Sequence, residues 1–154
     1  MVLLMSSKVT NFAVKSVKRG RIKLSDDSEI IHRVAIVDVR PTKIGGPFEV
    51  EFGIDIITGI SVYPSNNVLL ELKDARILAP GETPPDDGWK SLEIVTKESS
   101  IEEVTCKVND IGEFLIKVEI EPVMASINKK VKTINKEPFY VVKWIPRFSW
   151  KKLK

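Results

Sequence analysis

Apolar and polar side chains alternate along three segments of the chain, and this two-residue period limits the possible folds more than any other feature. Side chains of a β-strand point alternately to its two faces, so each segment is expected to form a strand with one buried face. The pattern returns over residues 104–108 and 114–120. In the clearest segment the apolar face consists of five residues: Phe48, Val50, Phe52, Ile54 and Ile56.

Composition and turn residues extend this prediction to most of the chain. Val and Ile supply 18 residues each, against 10 Leu and 5 Ala, and branching at Cβ favours strands. Residues 97–103 could form a single helical turn, and residues 79–89 predict an irregular surface loop because they are rich in Pro and Gly. Further strand candidates are residues 8–17, 21–24, 30–39, 68–78, 91–96, 123–127, 131–134 and 138–145.

Many short strands at this spacing predict an all-β fold, a two-sheet antiparallel sandwich with at most one or two short helical turns. A length of 154 residues fits one domain. We expect this domain over residues 1–143, with residues 1–20 as an added N-terminal strand or arm. Residues 144–154 are expected to form a basic, aromatic C-terminal tail.

Two segments near the C-terminus carry a family resemblance. Residues 109–114 read Asn-Asp-Ile-Gly-Glu-Phe and open an alternating strand, and residues 136–142 read Lys-Glu-Pro-Phe-Tyr-Val-Val. Over about residues 101–142 the chain resembles the last two strands of immunoglobulin-like and fibronectin type III-like sandwiches. Phe114 stands where those domains favour Tyr, and their Cys…Trp…Cys core is absent. The resemblance implies an immunoglobulin-like sandwich and carries no function.

Basic residues are concentrated at both ends of the chain. Residues 1–24 carry six Lys or Arg and no acid, residues 25–121 carry nine basic and twenty acidic residues, and residues 122–154 carry nine basic and one acidic residue. In one interpretation, basic terminal strands lie beside acidic central strands and balance their charge. In the other, the two ends jointly build a basic surface.

The C-terminal segment is the best candidate contact surface, because it combines two of the three Trp with several cations. Aromatic and basic side chains together bind single-stranded nucleic acid, anionic lipid surfaces or acidic protein grooves. Alternatively, Trp144 and Phe148 hold the segment against the sandwich and the lysines only solubilise it. Pro146 predicts an interruption of any strand there. The predicted partner-binding residues are Trp144, Arg147, Phe148, Trp150, Lys151, Lys152 and Trp89.

Residues that often carry chemistry form no complete catalytic or metal-binding set. His32, the only histidine, shares a predicted strand face with Val34 and Ile36, so a structural role is expected. Cys106 is expected to be buried as a small apolar residue. Three acidic residues lie along one strand: Glu49, Glu51 and Asp55. A solvated strand face is the favoured interpretation of these residues, in preference to a calcium-binding or acid–base site. We assign no catalytic, cofactor-binding or metal-binding residue and expect no cofactor.

These observations predict a non-catalytic protein-interaction or assembly module whose partner is another protein or a second copy of the chain. The alternative is a nucleic-acid-binding protein that uses its basic N- and C-terminal segments. With no Gln, one Cys and many charged residues, the composition is typical of hyperthermophiles and predicts a thermophilic prokaryotic, archaeal source. The apolar run at residues 1–5 is too short for a signal peptide or membrane helix, so a cytoplasmic location is expected.

Overall fold

The computed structural model describes residues 8–153, so the predicted arm at residues 1–20 lies partly outside the described residues. Strand makes up 69% of this range, as the abundance of Val and Ile predicts. Within it the chain forms the following elements in order: β1 (Val9–Lys18), β2 (Gly20–Leu24), β3 (Glu29–Ile44), β4 (Val50–Tyr63), α1 (Asn66–Glu71), β5 (Arg76–Ile77), β6 (Trp89–Leu92), β7 (Ile94–Glu98), β8 (Ser100–Val108), β9 (Gly112–Lys132) and β10 (Pro138–Lys152).

The strands form two sheets. The larger sheet has the order β1-β8-β9-β10, and β5 and β6 also pair with β9. The smaller sheet has the order β4-β3-β2-β7. All pairs are antiparallel except the short β5–β9 pair. The predicted fold class, an all-β two-sheet sandwich, is confirmed.

Two apolar clusters hold the sheets together. Burial of apolar surface is the main favourable contribution to such packing. The larger cluster lies between β3–β4 and β8–β9, and its members are Val34, Ile36, Val39, Val50, Phe52, Val104, Cys106, Val108, Phe114, Ile116, Val118 and Ile120. The smaller cluster joins the sheets to α1, and its members are Ile22, Leu24, Ile30, Val68, Leu72, Ala125, Ile127 and Tyr140.

A β-bulge in β9 explains why one long strand was predicted as several short ones. Trp144 of β10 pairs with Pro122, whereas the preceding Lys143 pairs with Met124, so Val123 is an extra residue on β9. From Phe114 to Pro122 the even-numbered residues of β9 are buried, and after the bulge the odd-numbered Ala125 and Ile127 are buried. Residues 123–127 and 131–132 are strand, as predicted, but they continue β9 and do not form separate strands, and β9 ends at Lys132. The extra residue hides this continuity in the sequence because it reverses the alternation.

The predicted helical turn at residues 97–103 is wrong, and the chain forms its short helix α1 at Asn66–Glu71. Residues 97–98 end β7 and residues 100–103 begin β8, where Ser100 and its neighbours alternate between buried and half-buried positions as strand residues do. The strand candidate at residues 68–78 instead contains most of α1 and the two-residue β5. The Ser65 side chain accepts a hydrogen bond from the Val68 amide, and this N-cap starts α1.

Candidate interaction surfaces

The predicted C-terminal tail is part of strand β10. Residues 144–152 pair with β9, from Trp144 opposite Pro122 to Lys152 opposite Phe114. The division into a domain at 1–143 and a tail at 144–154 therefore differs from the structure. The prediction that Pro146 interrupts the strand is wrong. Pro146 lies within β10, an outer strand of the larger sheet, and pairs with Ile120 of β9. A proline there costs no ladder hydrogen bond when its nitrogen faces away from the neighbouring strand.

The aromatic residues of β10 divide between packing and exposure. Trp144 and Trp150 are half-buried and pack against the larger core cluster. The Trp144 ring lies 5.5 Å from the His32 ring, centroid to centroid. Phe148, between them in sequence, remains 44% exposed. Of the two residues expected to hold this segment against the sandwich, Trp144 does so, whereas Phe148 is available for contacts with a partner.

Two of the four cations of β10 face acidic partners. Arg147 forms a 2.5 Å ion pair with Glu121, and Lys152 forms a 3.0 Å ion pair with Glu49. Hydrogen bonds from Lys97 and then Arg147 hold the pKa of the Glu121 carboxyl below its usual value. Lys151 is exposed.

The two basic ends of the chain lie at opposite edges of the larger sheet. β8 and β9 separate β1 from β10 and carry several of the acidic residues. Ser16 of β1 donates a hydrogen bond to Glu103 of β8, and Arg147 of β10 pairs with Glu121 of β9. This arrangement matches the interpretation in which basic terminal strands flank acidic central strands, and it does not join the two ends into a continuous basic surface.

Trp89 does not join the other predicted partner-binding residues. It pairs with Asn128 of β9, whereas Trp150 pairs with Ile116, twelve residues away on the same strand. At about 3.3 Å per strand residue this separation is roughly 40 Å along β9. The Trp89 ring contacts Phe139, and its Nε1–H donates a hydrogen bond to the Pro85 carbonyl. Trp89 therefore anchors the end of the long loop.

An aromatic cleft opens where the start of β4 approaches the end of β10. Its volume is ≈ 290 Å³, and Trp150 forms one wall. The Trp150 ring meets the Phe52 ring edge-on at 5.3 Å, which fixes its position. The lining residues of this aromatic cleft are Phe48, Glu51, Phe148, Ser149 and Trp150.

Phe48 reaches the aromatic cleft because it lies in the β3–β4 turn and not on the strand. The turn contains Gly45 and Gly46 at positive φ, and Glu49 also has φ 65°, so regular strand begins only at Val50. The prediction of Phe48 on the buried face of the strand is therefore wrong, and its side chain is 66% exposed. Val50 and Phe52 are buried, as predicted.

Glu51 gives the aromatic cleft a charged group. Within residues 8–153, its Oε2 atom is the buried side-chain polar atom that has no hydrogen-bond partner. The prediction of a solvated acidic face holds for Asp55, which is exposed and paired with Arg40 at 2.6 Å. It is wrong for Glu51, which is half-buried and has its Oε2 atom shielded from solvent.

The second half of β4 is an exposed sheet edge. Residues 56–62 read Ile-Ile-Thr-Gly-Ile-Ser-Val and contain no charge and no proline. Ile57 is 63% exposed and Ile60 is 41% exposed. Among the described residues 8–153, β4 pairs only with β3, so no strand of that range bonds the backbone N–H and C=O groups on the other side of this segment.

The other outer strands of the two sheets carry features that discourage pairing with a second chain. β10 has Pro146 and several cations, and β1 has Lys15 together with two register irregularities against β8. β7 is five residues long and contains Lys97 and Glu98. Charges, prolines, bulges and short length are the usual protections of sheet edges. Residues 56–62 of β4 lack all four.

His32 is a buried structural residue, as predicted. Its Nε2–H donates to the Glu98 carbonyl at 3.0 Å, so Nδ1 accepts from the Ser100 hydroxyl at 2.9 Å. Both ring nitrogens are satisfied in the neutral form. Burial lowers the pKa of His32, and the hydrogen bond to the Glu98 carbonyl only partly opposes this shift.

We expect His32 to make folding less favourable at acidic pH. Below its ordinary value of 6.5 the unfolded chain gains a proton that the folded chain excludes, so stability falls as pH falls toward the lower folded pKa. Urea unfolding of the wild type and of His32→Gln between neutral and acidic pH checks this. The stability advantage of the wild type should shrink by up to about 1.4 kcal/mol per pH unit. Parallel profiles for the two proteins would contradict it.

Cys106 is buried, as predicted, and burial raises the pKa of its thiol to about 11. In the described part of the chain, no group of three or more His, Cys, Asp and Glu side chains is arranged to hold a metal ion. Across residues 8–153, no helix has the length and hydrophobicity needed to cross a bilayer.

No protein-family model matches the chain, and no match is found among curated proteins or among solved structures. The resemblance to immunoglobulin-like sandwiches at residues 101–142 stays a prediction.

Proposed function

We propose that the chain is a non-catalytic interaction module that associates by adding a strand to the edge of β4. The observation that supports this most strongly is the uncharged segment at residues 56–62, which lies on an outer strand with Ile57 largely exposed. An added strand would satisfy its free backbone hydrogen-bonding groups and cover its apolar side chains. A thermophilic source and a cytoplasmic location remain part of the proposal, supported by composition alone.

We propose a second copy of the chain as the partner. If two copies pair antiparallel about Gly59, residue 57 of one lies opposite residue 61 of the other, and Thr58 lies opposite Ile60. This register brings no two like charges together, since Asp55 lies opposite Tyr63. The interface is then symmetric and closes as a dimer, the commonest oligomeric state. The smaller sheets of the two copies would become one continuous sheet.

Nucleic-acid binding through both basic ends receives less support. Such binding needs cations along one surface that can follow a phosphate backbone. β1 and β10 lie at opposite edges, and acidic residues of β8 and β9 lie between them. Cations on β10 also already pair with Glu121 and Glu49.

Gly59→Lys tests the proposed association. A Cβ at Gly59 would meet no heavy atom within 4 Å, so the monomer should accept the larger side chain. In the symmetric pair the two lysines would face each other and repel. Sedimentation equilibrium across the micromolar range should show a wild-type dimer and a variant whose dimer dissociates at least about tenfold more readily, ~1.4 kcal/mol.

Val14→Lys is the matched control, because it places a new lysine at an exposed position on the outer strand β1. It should dimerise like the wild type. A wild type that stays monomeric throughout, or a Gly59→Lys variant that dimerises normally, would overturn the proposal. Turnover of a substrate by the purified protein would refute its non-catalytic part.

A further inference from the structure

We propose that the aromatic cleft binds an alkylated ammonium group. The cleft is separate from the β4 segment at residues 56–62, so this site does not depend on dimerisation. Its ≈ 290 Å³ volume admits a small ligand or one side chain of a larger partner. Three aromatic rings line the cleft together with Glu51, whose Oε2 atom is buried.

The walls of the aromatic cleft suit alkyl groups that carry a positive charge. Phe48, Phe148 and Trp150 line the same small volume. The face of an aromatic ring is negative, so several rings around one space attract cations, and their apolar surface contacts alkyl groups. The Phe52 ring holds Trp150 at 5.3 Å, so this wall is in place before a ligand arrives. Phe48 is 66% exposed and Phe148 is 44% exposed, so both rings would gain burial when a ligand binds.

Glu51 makes the aromatic cleft selective for positive charge. Its Oε2 atom is buried without a hydrogen-bond partner, and a buried carboxylate oxygen without a partner is costly. A cation in the cleft would balance the charge of this carboxylate by electrostatic attraction, which needs no N–H donor and is therefore open to a trimethylammonium group. Lys152, on the adjoining end of β10, is paired with Glu49 at 3.0 Å. The same carboxylate would repel phosphate, so the cleft favours an ammonium ligand although β10 is basic.

A pair of ligands with nearly the same shape and different charge tests the site. Choline carries a trimethylammonium group, and 3,3-dimethylbutan-1-ol replaces it with an uncharged tert-butyl group. Calorimetric titration of the full chain, supported by tryptophan fluorescence, should show saturable binding of choline and at least tenfold weaker binding of the alcohol. Equal affinity for the two would show that the cleft recognises shape alone and would overturn the proposal, as would no binding of choline.

Two variants assign the binding to the aromatic cleft. Glu51→Gln removes the charge with little change in shape, and Phe148→Ala removes an exposed ring, so both should fold. Each should weaken choline binding at least tenfold. Glu113→Gln and Phe12→Ala change an exposed acid and an exposed ring elsewhere and should bind like the wild type. Wild-type affinity in Glu51→Gln would contradict the role of the carboxylate even if choline binds.

A third comparison identifies the source of the ammonium group. A short peptide with one trimethyllysine is titrated beside choline and beside the same peptide with unmodified lysine. Tighter binding of the trimethylated peptide than of choline would support a side chain presented by a protein. Equal or weaker binding of that peptide would support a free small cation. Preference for unmodified lysine over trimethyllysine would contradict recognition of alkyl groups.

Discussion

Phe114→Ala should lower the free energy of unfolding by about 3–5 kcal/mol, the usual cost of deleting a buried aromatic ring. Phe114 is 1% exposed in the larger core cluster, and its ring meets Phe52 edge-on at 5.3 Å. Strands of both sheets surround it, so the cavity that its loss leaves cannot easily collapse. Since domains are stable by only about 5–15 kcal/mol, this loss is a large fraction of the total. Urea unfolding followed by circular dichroism measures it.

Phe12→Ala is the matched control for this experiment, because Phe12 lies on β1 and is 40% exposed. The same change of side chain should cost less than about 1 kcal/mol there, since little area leaves the core. A Phe114→Ala variant as stable as Phe12→Ala would contradict the placement of Phe114 between the sheets.

Gly20→Ala should lower the free energy of unfolding by about 3 kcal/mol through overpacking. A Cβ at this position would lie 2.2 Å from the His32 ring and 2.5 Å from the Glu98 carbonyl oxygen. The ring cannot move aside easily, because His32 is 1% exposed and Trp144 packs against it. Differential scanning calorimetry or urea unfolding shows the effect.

Gly59→Ala provides the comparison for Gly20→Ala, because a Cβ at Gly59 meets nothing within 4 Å and should cause almost no loss of stability. The double variant Gly20→Ala, His32→Ala should lose less stability than the sum of its two single variants, since the second change removes one of the clashing groups. Strict additivity, or an unperturbed Gly20→Ala variant, would show that the His32 ring does not fill this space.

The alternation of apolar residues was sufficient to predict which faces are buried in the regular strands. Val104, Cys106 and Val108 are all buried, as is the run that begins with Phe114. This succeeds because one face of each strand must enter the core of a two-sheet fold. The prediction fails after Val123, an extra residue that moves the buried positions of β9 from even to odd numbers. It also fails at Phe48, because residues with positive φ in the turn delay the start of β4 until Val50. Such local changes depend on the partner strand and turn.

Phe114 has no hydroxyl, although immunoglobulin-like domains favour Tyr at that position. A buried hydroxyl contact is made instead by Tyr140. The Tyr140 hydroxyl donates to the Asp26 carboxylate at 2.7 Å and lies 2.9 Å from the Ser28 hydroxyl. Ser28 in turn accepts from the Ser65 amide at 3.0 Å, so this network ties β10 to the β2–β3 turn and to the start of α1. Burial raises the pKa of Tyr140. The sequence could not reveal it, because the partners lie 112 and 114 residues away.

The candidate surfaces were only partly accessible to sequence reasoning. The aromatic composition of the C-terminal segment identified Phe148 and Trp150, which line the aromatic cleft. Phe48 and Glu51 were missed as cleft residues, because their contact with β10 spans about a hundred residues of sequence. A signal for the β4 edge was present, since no charged residue occurs between Asp55 and Glu71. Its meaning depends on β4 being an outer strand, which only the strand order reveals.

Hydrogen–deuterium exchange at several protein concentrations tests the proposed association at β4 most directly. Amides of residues 56–62 that face outward should exchange more slowly as concentration rises, because an added strand bonds them. Amides of the outer strand β1 should show no such change, and in Gly59→Lys the protection at residues 56–62 should be lost. Exchange at residues 56–62 that is independent of concentration, with the wild type nevertheless dimeric, would place the interface elsewhere and contradict the account.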